Sequence, residues 1–312
     1  MAAPFIRPDA AAFLASSNDS AIPPLETLSV HDARVLMRAM GIDADLPAVR
    51  LPVCRSFKVK RPVGDIALRL YDRRRSRGAG PLILFFHGGG FVIGDLESHN
   101  SFCTWLADRF DLPVLAVDYR LSPEHPFPAA PEDAEAIARW AATGPRQLGE
   151  GVTALVTCGD DVGGKLAILV AQRLAEIPAS VPVTAQLAIY PRIGAAIEWP
   201  LVRTVGECFL VTRKAVAWFN DCYGASGDNR RHNCLKGSVP VKTPLLVMTA
   251  GLDPLRGQGV AYAAYAREQG AQVVHLEAHG MAHGFVNLRK LLPSSQGDLE
   301  NLVTAAKKML GL

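Results

Sequence analysis

The amino-acid sequence predicts an α/β fold in which a mostly parallel sheet is covered by helices on both faces. Six short apolar runs alternate along the chain with stretches of helical periodicity. Nearly continuous apolar strands joined by helices are typical of a parallel sheet that is buried on both sides. The predicted strands of this part are Leu82–Phe86, Val114–Val117, Ala154–Cys158, Ala185–Ile189, Leu245–Thr249 and Val273–Glu277.

Two further strands and several helices are expected around this pattern. The runs Cys54–Lys60 and Ile66–Tyr71 alternate between polar and apolar residues and flank a Pro-Val-Gly-Asp turn, which indicates a hairpin. Residues 1 to about 50 favour helix, and Ser29 opens an amphipathic segment that continues to Met40. The remaining helices are predicted near 101–109, 131–142, 163–175, 212–221, 255–268 and 297–309.

The segment from about 191 to 240 interrupts the alternation of strands and helices. We expect it to form, together with the N-terminal helices, a cap over the C-terminal edge of the sheet. The predicted organisation therefore has cap helices in residues 1–50 and a main domain in residues 51–312, with a cap insertion at about 191–240. The sequence contains no internal repeat and no low-complexity tract.

Composition and charge argue against several classes of function. Of the 312 residues, 49% are hydrophobic and 20% are charged, the balance of a globular enzyme. The net charge of +3 is too small to favour nucleic acid or a membrane as a partner. No apolar stretch approaches the roughly 20 residues that span a bilayer, and no signal pattern is present, so a cytoplasmic location is expected. The six cysteines lack paired metal-ligand spacing and are expected to be free thiols.

A glycine-rich loop follows the first predicted parallel strand. The sequence H-G-G-G-F at 87–91 comes directly after Leu82–Phe86. Glycines at such a position let the backbone approach a substrate closely and point its N–H groups at a developing oxyanion. We therefore expect Gly88 and Gly89 to donate hydrogen bonds to an oxyanion, with His87 supporting the loop.

A second motif, C-G-D-D-V-G-G at 158–164, is typical of a sharp turn from a strand into a helix. Gly159 and Gly163 flank its apex, as in the G-x-S-x-G turns that hold a nucleophile in a strained backbone conformation. The apex residue here is Asp161, and aspartate tolerates a positive φ better than most residues do. The backbone N–H of Val162, at the start of the following helix, would complete the oxyanion hole.

An acid and a histidine follow the turn in the order that a catalytic triad requires. Asp253 lies just past the strand Leu245–Thr249, at the edge where open α/β sheets place their sites. His283 follows the next predicted strand, in the sequence G-M-A-H-G-F. Apex residue, then acid, then histidine is the chain order of the α/β-hydrolase triad. We therefore predict that Asp161, Asp253 and His283 share one catalytic site.

Together these motifs resemble the hormone-sensitive-lipase-like carboxylesterases. The resemblance covers about residues 30 to 310. It implies an α/β-hydrolase fold with a mostly parallel eight-stranded sheet, helices on both faces and a helical cap. It also implies hydrolysis of short-chain acyl esters, no metal or cofactor, and a possible homodimer. The motifs that carry the resemblance are H-G-G-G-F at 87–91, D-Y-R-L-S-P-E at 118–124, the turn at 159–164, D-P-L-R at 253–256 and G-M-A-H-G-F at 280–285.

The sequence departs from the family pattern at the site itself. The family turn reads G-D-S-A-G-G-N, whereas this chain has Asp161 in place of Ser, Val162 in place of Ala and Lys165 in place of Asn. The acidic residue usual shortly after the Tyr-Pro pair is absent in Y-P-R-I at 190–193, and R-R-H-N-C-L at 230–235 replaces the family's D-P-R-x-S-P-L. Several departures around one pocket indicate divergence or redesign of that pocket.

Asp161 as an inert anion is the first of three interpretations. Its carboxylate would fill the oxyanion hole at the helix N-terminus and pair with His283 as an imidazolium, while Lys165 balances its charge. Attack of a carboxylate on an ester yields an anhydride and must displace an alkoxide. We therefore expect a carboxylesterase-type hydrolase whose ester hydrolysis is weak or silenced.

The two alternatives are an aspartate-nucleophile hydrolase and a binding protein. Haloalkane dehalogenases and epoxide hydrolases share this fold and use an aspartate at the turn to attack carbon, after which His283, oriented by Asp253, would activate water. A non-catalytic pocket would instead bind a small apolar ligand, as in the plant gibberellin receptor, which resembles the same family. In every case the expected partner is a small ester-like or apolar molecule. The aromatic residues of the cap region, which form no clear halide pocket, are Tyr190, Trp199, Trp218 and Tyr223.

Overall fold

The chain is built around a twisted sheet whose strands match those predicted from the sequence. The computed structural model describes residues 4–19, 23–194, 211–225, 229–237 and 239–312. Within these residues the sheet has eight strands in the order β1-β2-β4-β3-β5-β6-β7-β8, and only β2 runs antiparallel to its neighbours. The predicted mostly parallel sheet is therefore confirmed. The strands are β1 (Val53–Val59), β2 (Ile66–Asp72), β3 (Gly80–Phe86), β4 (Val114–Asp118), β5 (Val152–Asp160), β6 (Val183–Ile189), β7 (Leu245–Ala250) and β8 (Val273–Ala278).

The sheet divides the apolar core into two layers. In β3, Ile83 and Phe85 belong to one layer, whereas Leu82, Leu84 and Phe86 belong to the other. Successive side chains of a strand point to opposite faces, so a strand with both faces buried must be apolar throughout. All five side chains are buried, which explains the uninterrupted apolar run that predicted this strand.

Helices cover both layers, as predicted. One layer includes Phe102 of α3 and Leu302 of α8, and the other includes Ile137 of α4 and Leu166 of α5. Among the described residues, none of the helices combines the length and apolar character needed to cross a membrane. The helices are α1 (Pro8–Asp19), α2 (Val30–Asp43), α3 (Asn100–Phe110), α4 (Ala129–Ala142), α5 (Val162–Glu176), α6 (Arg213–Tyr223), α7 (Arg256–Glu268) and α8 (Ser295–Leu310).

Helices α2 and α6 pack together over the loop that follows β3. Ala33 of α2 and Phe219 of α6 share one apolar cluster with Val92 and Ile93 of that loop. Helix α2 begins where the sequence predicts, because the hydroxyl of Ser29 accepts the N–H of Asp32 at 3.1 Å and caps the helix. The predicted cap insertion at about 191–240 is described only at 191–194, 211–225, 229–237 and 239–240, so Trp199 lies outside the described residues.

Ion pairs join the N-terminal segment to the C-terminal part of the chain. Arg7 pairs with Asp298 of α8 at 2.7 Å, and Asp45 pairs with Arg289 at 2.7 Å. The Asp45–Arg289 pair is almost fully buried, and the Arg289 guanidinium also lies 5.7 Å from the ring centroid of Trp105. The segment that carries α1 and α2 is thus attached to the part of the chain that follows His283.

Candidate active site

The turn between β5 and α5 places Asp161 at its apex. Asp161 has a φ of 50° and a ψ of −120°, a conformation that L-residues rarely adopt. A Cβ on Gly163 would lie 2.0 Å from the carbonyl oxygen of Phe86, and a Cβ on Gly159 would lie 2.3 Å from the carbonyl carbon of Gly163. Only glycine fits at these two positions, so the glycines that predicted the turn are required by its geometry.

The Asp161 carboxylate lies against backbone N–H groups of the glycine loop. Its Oδ2 accepts hydrogen bonds from the N–H of Gly89 and from that of Gly90, each at 3.0 Å. Val162 is the first residue of α5, and the first N–H groups of a helix have no partner within the helix and form its positive end. The Asp161 side chain is buried. A carboxylate oxygen therefore occupies the place that these donors would offer to an oxyanion.

Gly88 does not belong to this set of donors. Its N–H donates to Oδ1 of Asp160 at 2.8 Å, and a Cβ on Gly88 would lie only 2.5 Å from Oδ2 of the same carboxylate. The prediction that Gly88 points its N–H at an oxyanion is therefore wrong, because the buried Asp160 already binds that N–H. Gly90 takes its place beside Gly89.

His283 is held between two carboxylates. Its Nδ1 lies 2.7 Å from Oδ2 of Asp253, a fully buried side chain whose Oδ1 accepts the N–H of Leu255 at 2.8 Å. Its Nε2 lies 4.0 Å from Oδ1 of Asp161. The structure thus brings together the three side chains that the sequence predicts for one site, with the histidine closer to Asp253 than to the apex residue.

The surroundings of His283 favour its charged form. Burial opposes the charge, but the carboxylate and hydrogen bond of Asp253, together with the charge of Asp161, outweigh burial and raise the pKa of His283 to about 9. At neutral pH the ring is therefore an imidazolium whose Nδ1–H donates to Asp253. Such a ring has no free electron pair and cannot act as a general base. Asp161 thus places a carboxylate at the apex of the turn and also favours the protonated form of His283.

A buried network behind the glycine loop was missed by the sequence reasoning. Asp160, the last residue of β5, accepts the hydroxyl of Tyr190 at 3.3 Å, and its Oδ1 lies 3.3 Å from Nε2 of His99. Burial opposes ionisation of Asp160, but His99 and the Gly88 N–H stabilise its charge and lower its pKa. The signal in the sequence was an acidic residue directly before the apex of the turn, at the end of an apolar strand.

His87 packs beneath the glycine loop as a neutral ring. Its Nδ1 lies 2.8 Å from the carbonyl oxygen of Gly88, and its ring stacks on Tyr119 with centroids 4.3 Å apart. Burial and the neighbouring His99 lower the pKa of His87 to about 4, so it carries no charge at neutral pH. This packing agrees with the supporting role that the sequence indicates for His87.

Lys165, the third departure in the turn motif, is almost fully buried. Its Nζ lies 3.1 Å from Nδ1 of His232 and 5.7 Å from the ring centroid of Phe91. Burial lowers the pKa of Lys165 to about 8, an effect that the charge of Asp161 partly opposes. The ammonium expected to balance Asp161 thus acts on it at a distance, while its direct contact is with His232.

Arg192 stands directly after the Tyr-Pro pair, where the family usually has an acidic residue nearby. Its backbone N–H donates to the carbonyl oxygen of Asp161 at 3.2 Å, which fixes Arg192 beside the turn. Its guanidinium donates to Oδ1 of Asn220 on α6. Burial lowers the pKa of Arg192, and the charge of Asp161 counteracts this effect. A positive charge therefore lies between the turn and α6.

A mostly apolar pocket opens onto Asp161 and His283. Such a pocket with a few convergent polar groups is typical of a small-molecule site. In the described part of the chain, no three His, Cys, Asp or Glu side chains come together in a way that could hold a metal ion. The apolar lining comprises Met37 and Met40 of α2, Val216 and Phe219 of α6, and Leu25, Ile93, Val211, Leu255 and Leu288.

Comparison with known proteins gives the chain a family. Residues 83–287 match a protein family that is described as having the α/β-hydrolase fold. Esterase LipI of Mycobacterium tuberculosis is 34% identical over 265 residues, which cover 80% of this chain and 81% of that protein. An ethyl acetate hydrolase of Pseudomonas putida is 32% identical over 319 residues, covering 98% and 99%. The solved structure of a thermostable esterase from Pseudomonas putida ECU1011 matches with a TM-score of 0.91 and 26% identity, over 100% of both chains. The chain therefore belongs to the hormone-sensitive-lipase-like carboxylesterase family of α/β-hydrolases.

Proposed function

We propose that this protein is a carboxylesterase-type hydrolase whose pocket receives small acyl esters and whose ester hydrolysis is weak or silenced by Asp161. The esterase relatives and the arrangement of His283 and Asp253 beside an apolar pocket support carboxylesterase-type chemistry. One observation supports the weakening of that chemistry by Asp161. Oδ2 of Asp161 accepts the N–H groups of both Gly89 and Gly90, which are the donors available for an oxyanion.

Ester hydrolysis by this scaffold needs a hydroxyl nucleophile, a neutral histidine and an oxyanion hole. A serine hydroxyl at the apex would give its proton to Nε2 of His283 while its oxygen attacks the ester carbonyl carbon. The negative charge that develops on the carbonyl oxygen would be stabilised by the N–H groups of Gly89 and Gly90. Asp253 would hold the ring in orientation and stabilise the imidazolium.

Asp161 removes all three requirements. A carboxylate has no proton to transfer, and its attack on an ester gives an anhydride while an alkoxide must leave. Its Oδ2 holds the N–H groups that the tetrahedral intermediate requires. Its charge also helps to keep His283 protonated at neutral pH. Hydrolysis is then limited to the small acceleration that binding and the remaining polar groups provide.

The test compares hydrolysis of p-nitrophenyl butyrate by the unaltered chain, Asp161→Ser and Asp161→Ala. We expect Asp161→Ser to raise kcat/KM by about 10³-fold or more, because it supplies a nucleophile and frees the histidine and the oxyanion donors. Asp161→Ala is the matched control, since it removes the carboxylate without supplying a nucleophile, and it should remain slow. A serine variant no faster than the alanine variant would contradict the proposal.

A second candidate, an aspartate-nucleophile hydrolase, is favoured by the orientation of the Asp161 carboxylate. Oδ2 is held by N–H groups, whereas Oδ1 is directed towards His283 at 4.0 Å. In such a reaction Oδ1 forms a bond to a substrate carbon as halide leaves or an epoxide C–O bond breaks. Water, deprotonated by neutral His283, then attacks Cγ of the ester on Asp161 and the Cγ–Oδ1 bond breaks. The imidazolium gives its proton to the departing alkoxide oxygen, and the remaining proton of the attacking water is released as the carboxylate is restored. The hydroxyl of Tyr190 is bound to Asp160, so it is not directed at a leaving group.

Oxygen-18 labelling distinguishes the second candidate from the first. After turnover of a haloalkane or epoxide in ¹⁸O-water, the peptide that contains Asp161 would carry ¹⁸O, because water attacks Cγ rather than the substrate carbon. Turnover would also rise as pH approaches about 9, where His283 becomes neutral. Mass spectrometry of the peptide measures the label. Product formation without label in Asp161 would exclude this route.

A further inference from the structure

The wall of the pocket contains a positive charge that the triad does not use. Arg192 lines the same pocket as Asp161 and His283. Its position is fixed by the hydrogen bond from its N–H to Asp161, and its guanidinium reaches Asn220 on α6. Within the part of the chain that the structure describes, no carboxylate forms an ion pair with Arg192. Placing a half-buried guanidinium out of full contact with water costs free energy unless an anion compensates its charge.

The charges around the turn show which carboxylate faces this cation. Asp253 is paired with His283, and Asp160 lies behind the glycine loop against His99. Asp161 is the carboxylate whose charge acts on Arg192, and it also acts on the buried Lys165.

His232 adds no further positive charge, because burial and the neighbouring Lys165 lower its pKa to about 4. Lys165 and Arg192 therefore both lie near the carboxylate of Asp161. The imidazolium of His283 also lines the pocket, but it is paired with Asp253, so Arg192 is the lining cation that forms no ion pair among the described residues and can accept another negative charge.

We propose that Arg192 makes the pocket selective for small molecules that carry a carboxylate on an apolar chain. The planar guanidinium binds a carboxylate through two parallel hydrogen bonds, and the apolar side chains of α2 and α6 cover the chain. The inference rests on the proposed function, because the same pocket receives the ester. It specifies the substrate class as monoesters that keep a free carboxylate, such as esters of dicarboxylic acids.

Equilibrium binding tests this selectivity without any turnover. Isothermal titration calorimetry of the unaltered chain compares hexanoate with 1-hexanol, which has the same chain length and no charge. We expect hexanoate to bind about tenfold more tightly or better, because only the carboxylate engages the guanidinium. Arg192→Gln should abolish this preference. Arg75→Gln is the matched control, because it removes a positive charge from an exposed loop away from the pocket, and it should retain the preference.

The salt dependence of binding to the unaltered chain tests the proposal without relying on the folding of any variant. Added sodium chloride should weaken hexanoate binding to the unaltered chain and leave hexanol binding nearly constant, because salt screens only the charged contact. Equal affinity for hexanoate and hexanol in the unaltered chain would overturn the proposal. So would a preference for hexanoate that a folded Arg192→Gln variant retains.

Kinetics in the serine variant connect the selectivity to the ester. Asp161→Ser should show a higher ratio of kcat/KM for p-nitrophenyl hemisuccinate over p-nitrophenyl butyrate, and adding Arg192→Gln should lower that ratio about tenfold. These esters differ only in a carboxylate that replaces a methyl group. If Asp161→Ser hydrolyses neither ester, the proposed function fails, while the calorimetric comparison still decides the selectivity. If Asp161→Ser hydrolyses both esters and Arg192→Gln leaves the ratio of their kcat/KM values unchanged, the proposed selectivity is wrong and the esterase assignment stands.

Discussion

Nε2 of His283 lies 4.0 Å from Oδ1 of Asp161, whereas Nδ1 of the same ring lies 2.7 Å from Oδ2 of Asp253. The short contact orients the ring as a triad requires. The long contact connects the ring to a second anion in place of a hydroxyl that could give up a proton. Because both carboxylates stabilise the imidazolium, the proton stays on His283 at neutral pH. The site thus combines a histidine oriented by Asp253 with a protonation state that opposes its use as a general base.

The charge of His283 should make stability depend on pH. Its pKa is raised in the folded protein from 6.5 to about 9, so the stabilisation is fully present below pH 6.5 and is lost as pH rises through about 9. A difference of this size corresponds to a free energy of unfolding on the order of 3 kcal/mol. Urea unfolding at a series of pH values measures it. His283→Gln should lose this pH dependence, whereas His31→Gln, at an exposed site, is the control and should keep it. If the free energy of unfolding of His283→Gln fell with rising pH as much as that of the unaltered chain, His283 would not be the group responsible.

Asp253→Asn should reduce turnover in the Asp161→Ser background by about 10³- to 10⁴-fold. The amide neither stabilises the imidazolium nor accepts the Nδ1–H in the same way, so the ring loses its charge partner and its orientation. An NMR titration should show the pKa of His283 falling in the same variant. The exposed Asp65→Asn is the control and should turn over like its parent. Unchanged turnover in Asp253→Asn would remove Asp253 from the triad.

Gly163→Ala should destabilise the fold by about 3 kcal/mol or more, because the new methyl group would lie 2.0 Å from the carbonyl oxygen of Phe86. Gly297→Ala is the matched control: it lies in α8 with open space around it, so the change should stabilise the protein by up to about 1 kcal/mol. Urea unfolding of both variants provides the comparison. Equal stability of the two would contradict the tight packing of the turn.

Asp45→Asn should cost about 3–5 kcal/mol, because it leaves the buried charge of Arg289 without its carboxylate. Glu124→Gln, which breaks the more exposed pair with Arg34, should cost less than about 1 kcal/mol. Thermal and urea unfolding measure both. A similar small cost for the two changes would mean that Asp45 does not hold the N-terminal segment as inferred.

The central strands β3 to β7 were predictable because burial on both faces requires an almost continuous run of apolar residues. The end of β5 was not, since the strand continues to Asp160 through pairing of Gly159 with Ala188 and of Asp160 with Ile189. Glycine and aspartate carry no apolar signal, so the apolar run alone ended at Cys158. For the same reason the burial of Asp160, and with it the network to His99, was missed.

The meeting of Asp161, Asp253 and His283 was predictable from motif order, whereas the N–H groups that face Asp161 depend on local backbone conformation. Gly89 has a φ of 115° and Gly90 a φ of 60°, and these angles turn their N–H groups towards Asp161. Three consecutive glycines do not reveal which of their N–H groups turn towards the apex residue, so the sequence does not distinguish Gly88 from Gly90. Arg192 was visible only as a departure from the family pattern, because its contact with Asn220 joins distant parts of the chain.

Covalent labelling with an activated phosphonate ester tests most directly that Asp161 silences an otherwise complete esterase. We expect intact-mass spectrometry to find no adduct on the unaltered chain and one phosphonyl group on Asp161→Ser, attached at position 161. Adding His283→Ala to the serine variant should abolish rapid labelling. Rapid labelling of the unaltered chain at any other side chain would contradict the account, because a different nucleophile would then carry the reaction.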